Sequence, residues 1–503
     1  MRFLAESGLS SEPWQGRRGA GASLREQGPR GPGRHAATWD RRADTRPTSR
    51  REAPAPRSLL VRPGLQAGLA SLVLLLGGCA GSRGVPLVSG GSGISAEIAR
   101  IPAIDHHAHP LRAVSGSEKD DEWDPLFAAG EPPAAVLPAR LRVESGELGG
   151  AWRALWGYSG TDAKEAAAAK QRVMAEQGEK YPSWVLDKLG IETMLANRIV
   201  MGKGLAAPRF RWVAWADPLL FPLSNASARR RNAEADVFFA GEEKVLKRYL
   251  GDAGLAAPPD TLTDYLQRVV TSTLERQKQA GAVAVKFEMA YLRSLYVAPA
   301  TMAAAAPVYA RFVKGGEPSG DDYKTLQDFL FRFVAHEAGR LGLAVHIHTG
   351  AGLGSFYRLA GSEPVLLDAT VSDPALRSTN FVLVHGGWPY DKETAYLLGK
   401  PNVYADFSAQ TFLLSARDLA NVLRTWLGLY PEKVMFGTDA FVLGPEIGWE
   451  ETGWLSATTA RQALGIALGD MTADGAISRA RAVELAHMVM HDNAAKLYKL
   501  GTP

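Results

Sequence analysis

One cysteine, Cys79, occurs in 503 residues. An internal disulfide and a cysteine zinc cluster are therefore excluded, and any metal site must draw on His, Asp, Glu or a modified Lys. The apolar run Leu65–Leu76 is too short to cross a bilayer comfortably, which takes about 20 residues. A basic surface is also missing. The net charge is +4, but residues 1–57 alone carry twelve Arg, no Lys and six acidic residues. That local excess is larger than the charge of the whole chain, so the remainder is slightly acidic, which argues against a nucleic-acid partner. No repeat of solenoid period is present. What is there, 46% hydrophobic and 22% charged residues, fits a globular chain with a sizeable core.

Residues 1–57 are rich in Arg, Gly, Ala, Pro and Ser and show no apolar periodicity. They cannot bury enough surface to offset chain entropy. They are expected to be disordered, or to be an over-extended start of the reading frame. Arg57 and Arg62 then precede Leu65–Leu76, which runs into Leu76-Gly-Gly-Cys79-Ala80. This stretch resembles a bacterial lipobox, with the sole cysteine at the lipidated position. The resemblance implies a signal peptide over 58–79, a membrane anchor through lipidated Cys79, and a Gly/Ser-rich tether over 80–100. Ala80 implies sorting to the periplasmic face of the outer membrane.

From residue 101 onward, short apolar runs alternate with segments of helical length, the signature of an α/β chain. Eight strands are expected, at 101–107, 191–197, 211–217, 283–288, 343–348, 381–385, 402–406 and 434–439. Eight strand–helix units fit a distorted TIM-type (β/α)8 barrel over 101–503. Helical insertions are expected after strand 1 (roughly 112–190) and strand 3 (roughly 220–280), as lids or walls over the strands' C-terminal ends. The helix over 163–177 reads as an ordinary solvent-facing amphipathic segment.

Histidines cluster where such a barrel places its active site. Six of the ten, at 106, 107, 109, 346, 348 and 385, sit on three strands. In Asp105-His106-His107-Ala108-His109-Pro110, residues two apart share a face. His107 and His109 should therefore point together, with Asp105 one layer deeper and His106 on the opposite side. Two imidazoles at a strand end suit a borderline metal such as zinc. On strand 5, His348 is the expected ligand and His346 packing or support. His385 ends strand 6, where Gly386 and Gly387 allow close backbone approach. Asp439 ends strand 8. Lys286, inside an apolar run, is costly to bury charged; it could carry a carbamate or bind an anion. Tyr291 and Arg293 follow strand 4 and could hold a substrate carboxylate, since Arg binds one through two parallel bonds.

Asp105–His109, His348-Thr-Gly350, His385-Gly-Gly-Trp-Pro389, Asn402-Val-Tyr-Ala-Asp406-Phe-Ser408, Gly437-Thr-Asp439 and Asp492–Tyr498 occur in this order. Over about 101–500 the chain resembles the amidohydrolase superfamily, in its amidohydrolase-related branch. It is similar in particular to the hydrolase-like module fused to glutamine synthetase in some fungal and plant proteins. The resemblance implies one divalent metal, usually zinc, on His107, His109, His348 and Asp439, with His385 beside it as a polarising or proton-transferring group. A second metal on carboxylated Lys286 and His385 is the alternative.

The expected reaction is metal-dependent hydrolysis of an amide or cyclic amide bond in a small carboxylate-bearing substrate. Asp439 would accept the proton of the attacking water. A metal-dependent decarboxylase of the same branch and a non-catalytic lipid-anchored binding protein are the competing readings. Oligomeric state is left open by the sequence.

Overall fold

Eight parallel strands follow one another around a single sheet in chain order. They are β1 (Ala103–Ala108), β2 (Ile191–Arg198), β3 (Phe210–Trp215), β4 (Ala282–Phe287), β5 (Ala344–His348), β6 (Phe381–Val384), β7 (Val403–Asp406) and β8 (Val434–Met435). The structure is a computed structural model that describes residues 93–501, apart from 115–117, 125–136, 232, 355–356 and 445. The expected disordered extension, signal peptide and Cys79 lie outside the described residues.

The barrel closes through the segment after β8. The backbone N–H of His106 donates to Phe436 O (3.0 Å), that of Asp439 to His107 O (2.7 Å) and that of His109 to Ala440 O (2.7 Å). Ile104, Leu195, Val213, Ala284, Ala344, Val382 and Met435, one from each of seven strands, pack together in the interior. Ala494 and Tyr498 of the last helix cap this cluster. The barrel is therefore a filled core with its polar residues gathered at the strands' C-terminal ends, as the fold dictates.

The outer helices form for ordinary reasons. The helix Ala416–Leu429 is capped by Ser415, whose side chain accepts from Asp418 N. It buries Leu419, Leu423, Trp426 and Leu427, spaced to make one stripe. Each such apolar side chain stabilises by about 1.5–3 kcal/mol when fully buried.

Both insertions are helical. The first holds α1 (Gly146–Trp156), α2 (Ala163–Gln177) and α3 (Tyr181–Leu189); the second holds α4 (Asp236–Asp252). They meet where Arg248 pairs with Glu122 at 2.7 Å. Trp123, Leu137, Leu141 and Leu148 of the first insertion pack with Ala351, Ala409, Phe412 and Phe441, which follow β5, β7 and β8. This cluster forms a roof over the mouth.

Three expectations need correction. The end of the stretch read as a tether is a helix, Gly93–Ile98, because Ile94 and Ile98, one turn apart, are both buried. Strand β8 stops at Met435 rather than 439; beyond it the segment meets β1 through single backbone bonds, and Asp439 itself adopts φ 55°. The α2 helix is not wholly solvent-facing: Lys170 is buried and pairs with Glu450 (2.6 Å) and Glu451 (3.0 Å).

Candidate metal centre

Strand β1 does not run regularly. Its pairing with β2 shifts between Asp105 and Ala108, so three steps on β1 match two on β2. Such a bulge re-aims side chains. The expected alternation breaks here, and both His106 and His107 project into the barrel. His106 points to the floor, with Nδ1 2.9 Å from Asp406 Oδ2 and its ring 4.5 Å from that of His346. His346 in turn lies 2.6 Å from the Tyr498 hydroxyl, a packing position. Asp105 does not lie beneath His107 toward the cavity. It accepts from Thr438 N (2.9 Å), Thr438 Oγ1 (2.6 Å) and His107 N (3.2 Å), tying β1 to the segment after β8. Burial pushes its pKa up to about 7 against these bonds.

At the mouth, His107, His109 and Asp439 each present a ligand atom within 4.8 Å of the others. Asp439 Oδ1 stands 3.2 Å from His107 Nε2 and 3.5 Å from His109 Nε2. The other nitrogen of His109, Nδ1, lies 2.9 Å from Asp124 Oδ2. That carboxylate fixes the ring and leaves Nε2 to face the cluster, the arrangement of a metal-bound histidine. Burial opposes protonation of His109, but Asp124 and Asp439 outweigh it and push its pKa up to about 9. His107 is flanked by Asn197 Nδ2, 2.9 Å from Nδ1, and Lys286 Nζ, 3.4 Å from Nε2. Burial, then Lys286, hold the His107 pKa well below the usual range.

His348 is not in that triplet but lines the same cavity, and a hydrogen-bond chain sets its tautomer. Ser408 has one hydroxyl proton, and it goes to Asp406 Oδ1 at 2.6 Å. His385 Nδ1–H must then donate to Ser408 Oγ (2.9 Å). His385 Nε2 is left to accept from His348 Nδ1–H (3.1 Å). The remaining His348 nitrogen, Nε2, is buried and has no partner. An orphaned imidazole lone pair in a cavity shared with His109 and Asp439 fits a metal ligand, since buried polar atoms are otherwise paired.

The backbone carries strain at the same place. His385 (φ 66°) and Asp439 (φ 55°) are in the left-handed region that non-glycine residues avoid. Gly386 follows at φ 54°, and a Cβ there would meet Trp426 at 2.1 Å and Asp406 O at 2.7 Å. Only glycine lets the β6 turn sit this close to β7.

Two expected substrate groups already have carboxylate partners. Lys286 Nζ is 2.9 Å from Glu288 Oε1. A carbamate on Lys286 would break this ion pair. Arg293 does not line the cavity: it pairs with Asp328 (2.5 Å) and donates to Tyr296 O. Tyr291 does line it, packed against His348 with ring centroids 4.9 Å apart. Trp388, Phe412, Phe441 and Leu353 complete an apolar wall. Among the described residues no Lys or Arg lines the cavity.

Sequence reasoning missed Asp124, Asn197, Ser408 and Glu288. For Glu288 a signal existed, since Lys286-Phe-Glu288 puts two opposite charges on one strand face. For Asp124 there was none: it comes from the first insertion, in a loop without periodicity.

A family model described as "Amidohydrolase" matches residues 243–500, just over half of the chain. Protein fluG of Emericella nidulans is 28% identical over 185 residues, covering 35% of this chain; the chain spans about a fifth of that protein's length. The fold is shared with three solved structures. A candidate metal-dependent hydrolase from Lactobacillus casei has a TM-score of 0.58 at 17% identity, covering 82% of this chain and 98% of the other. A uronate isomerase from Thermotoga maritima has a TM-score of 0.54 at 14% identity, covering 80% and 96%. A glucuronate isomerase from Caulobacter crescentus has a TM-score of 0.53 at 15% identity, covering 82% and 94%. At such identities the likeness concerns the fold alone.

Proposed function

The chain belongs to the amidohydrolase family, and from that premise we propose that it is a metal-dependent hydrolase acting on an amide or cyclic amide bond of a small molecule. The observation that carries this reading is the convergence of His107, His109 and Asp439 within 4.8 Å, where His109 and Asp439 line a cavity together with His348 and His385. His107, His109, His348 and Asp439 would hold one divalent metal, and a His-rich set without cysteine suits zinc. When bound, the metal supplies Lewis acidity toward a carbonyl oxygen and acidifies water.

The protein's own residues do the rest. Asp439, whose side chain is 14% exposed, takes the proton from the attacking water and returns it to the leaving nitrogen. Burial raises its pKa, with His109 opposing, which makes it a better proton acceptor than an exposed Asp. Asp124 orients His109. His385, kept neutral by burial, orients His348 and stands beside the reacting carbonyl. Tyr291, Trp388, Phe412 and Phe441 exclude bulk water and hold the apolar part of the substrate. One metal is favoured, because Lys286 is engaged by Glu288. The decarboxylase reading has less support, since it places a substrate carboxylate in a cavity whose described lining offers no Lys or Arg. Recognition of a carboxylate by Arg293 is dropped for the same reason.

Elemental analysis of the purified chain, run beside amine release from a panel of amides and carbon dioxide release from aromatic acids, tests the reading. About one metal per chain and chelator-sensitive amine release are expected. Carbon dioxide release without amine would replace hydrolase by decarboxylase, and a metal-free protein would leave a binding protein.

We also propose that Cys79 is lipidated and anchors the enzyme at the bacterial envelope. Among the described residues no helix is long and apolar enough to cross a membrane. Cys79→Ser is expected to move the protein from the membrane fraction to the soluble fraction; unchanged partition would overturn the anchor.

A further inference from the structure

One polar group in the cavity is used neither by the metal cluster nor by the hydrolytic step. Glu288 follows β4, is 2% exposed and lines the cavity. Its backbone N–H donates to Asp217 Oδ2 at 2.7 Å, which fixes the turn that carries it. Lys286 takes its Oε1 at 2.9 Å. Its Oε2 is buried and has no hydrogen-bond partner. A carboxylate oxygen in that state costs free energy unless something arrives to bond it.

The surroundings narrow what arrives. Asp217 and Glu242 are fully buried behind Glu288, and Asp124 is 1% exposed beside it. Neither oxygen of Glu242 has a hydrogen-bond partner. The positive groups facing these four carboxylates are Lys286 and His109. Burial raises the pKa of Asp217 and Glu242 well above the usual carboxylate range, so Glu288 is the acid left to meet a ligand. Its free acceptor oxygen calls for a donor, and a protonated amine makes the strongest such bond to a carboxylate. The same cavity has an apolar and aromatic lining from Leu353, Trp388, Phe412 and Phe441.

Distance ties this oxygen to the reaction. A Glu288 carboxylate oxygen, an Asp124 oxygen and a His109 ring nitrogen lie within 4.8 Å of one another. A group held by Glu288 therefore stands beside His109 of the metal cluster. We propose that Glu288 is a specificity-determining anchor for a protonated amine, and that the substrate is an aminoacyl amide with an apolar side chain. Its ammonium bonds Glu288 Oε2, its carbonyl lies at the metal cluster and its side chain rests on the aromatic wall. This rests on the hydrolase reading above and narrows its substrate class.

The test is a binding comparison on the full chain, zinc-loaded and again after chelation. Phenylalaninamide is compared with 3-phenylpropionamide, which lacks only the amine, by calorimetric titration at neutral pH. A hydrogen bond to a charged group is worth about 1.5–3 kcal/mol, so phenylalaninamide should bind at least about tenfold tighter. Glu288→Gln should remove that preference while the metal content stays the same. Equal affinity of the two amides for the wild-type protein would overturn the proposal, and this arm needs no variant to fold. Loss of metal from Glu288→Gln would also overturn it, by making Glu288 a ligand. Because the preference is read as binding, it can fail while the hydrolase reading stands. If the protein holds no metal, that reading fails instead.

Discussion

Lys170, Glu450, Glu451, Trp156 and Tyr181 form one buried polar cluster, between the first insertion and the long helix Trp449–Ala473; the cavity residues and the buried polar groups around them form another. In the first, Lys170 bonds both carboxylates, Tyr181 OH donates to Glu450 (2.7 Å) and Trp156 Nε1 donates to Glu451 (2.7 Å). In the second, His348 Nε2, Asn197 Oδ1, Asp217 Oδ1, Glu288 Oε2 and both oxygens of Glu242 have no partner. Both regions are equally inaccessible to water, so burial does not separate them. Satisfaction does. A closed set of bonds holds an insertion in place; an open set is left for something that is not part of the chain.

The largest expected effect lies in the open cluster. His107→Ala should lose its metal, by elemental analysis, and all metal-dependent activity while its far-UV circular dichroism is unchanged; a metal-loaded, active variant would break the distinction at once. Next is the closed cluster, where Lys170→Met leaves two buried carboxylates without a counter-charge. Removing one partner of a buried ion pair costs about 3–5 kcal/mol. Urea unfolding should show that loss, and the folded fraction should keep its specific activity.

A smaller effect is expected at Ser408, which belongs to the open cluster but touches no ligand. Ser408→Ala should weaken metal binding about 10–100-fold, as loss of an orienting partner does, and Ser408→Thr should restore it. Competition with a chelator measures both; unchanged affinity in the alanine variant would show that the Asp406–Ser408–His385–His348 chain does not set the lone pair.

The smallest effect concerns Glu242. Burial, then Asp217 and Glu288, raise its pKa well above the usual 4.5. The folded protein therefore holds a proton that the unfolded chain releases, and stability falls as pH rises above that value. One such group contributes at most about 1.4 kcal/mol per pH unit. Glu242→Gln should flatten this decline in urea midpoints between mildly acid and neutral pH. An equally steep decline in the variant would mean that the open cluster is already compensated.

Much of the site is legible in the strand ends. His109, His348, His385 and Asp439 each close an apolar run, and a barrel brings such ends to one face. The first strand is where reading fails. Period-two alternation puts His106 outside and Asp105 inside, but the shifted pairing between Asp105 and Ala108 reverses both. A bulge depends on the neighbouring strands, and nothing local to Asp105–His109 announces it. Lys286 and Arg293 fail differently. Each was expected to meet substrate, and each has a carboxylate partner, Glu288 and Asp328.

The sequence alone determined the alternation of strand and helix, hence the barrel, and the kinds of side chain at its mouth, because periodicity and residue identity are properties of single segments. Tertiary structure decided which nitrogen of His109 and of His348 is spent and which is free, that Asp124 from a distant loop steadies His109, and that Glu288 keeps one oxygen without a hydrogen-bond partner. The reason is that a hydrogen bond or an ion pair belongs to two groups at once, and its second member is fixed only when the chain has closed.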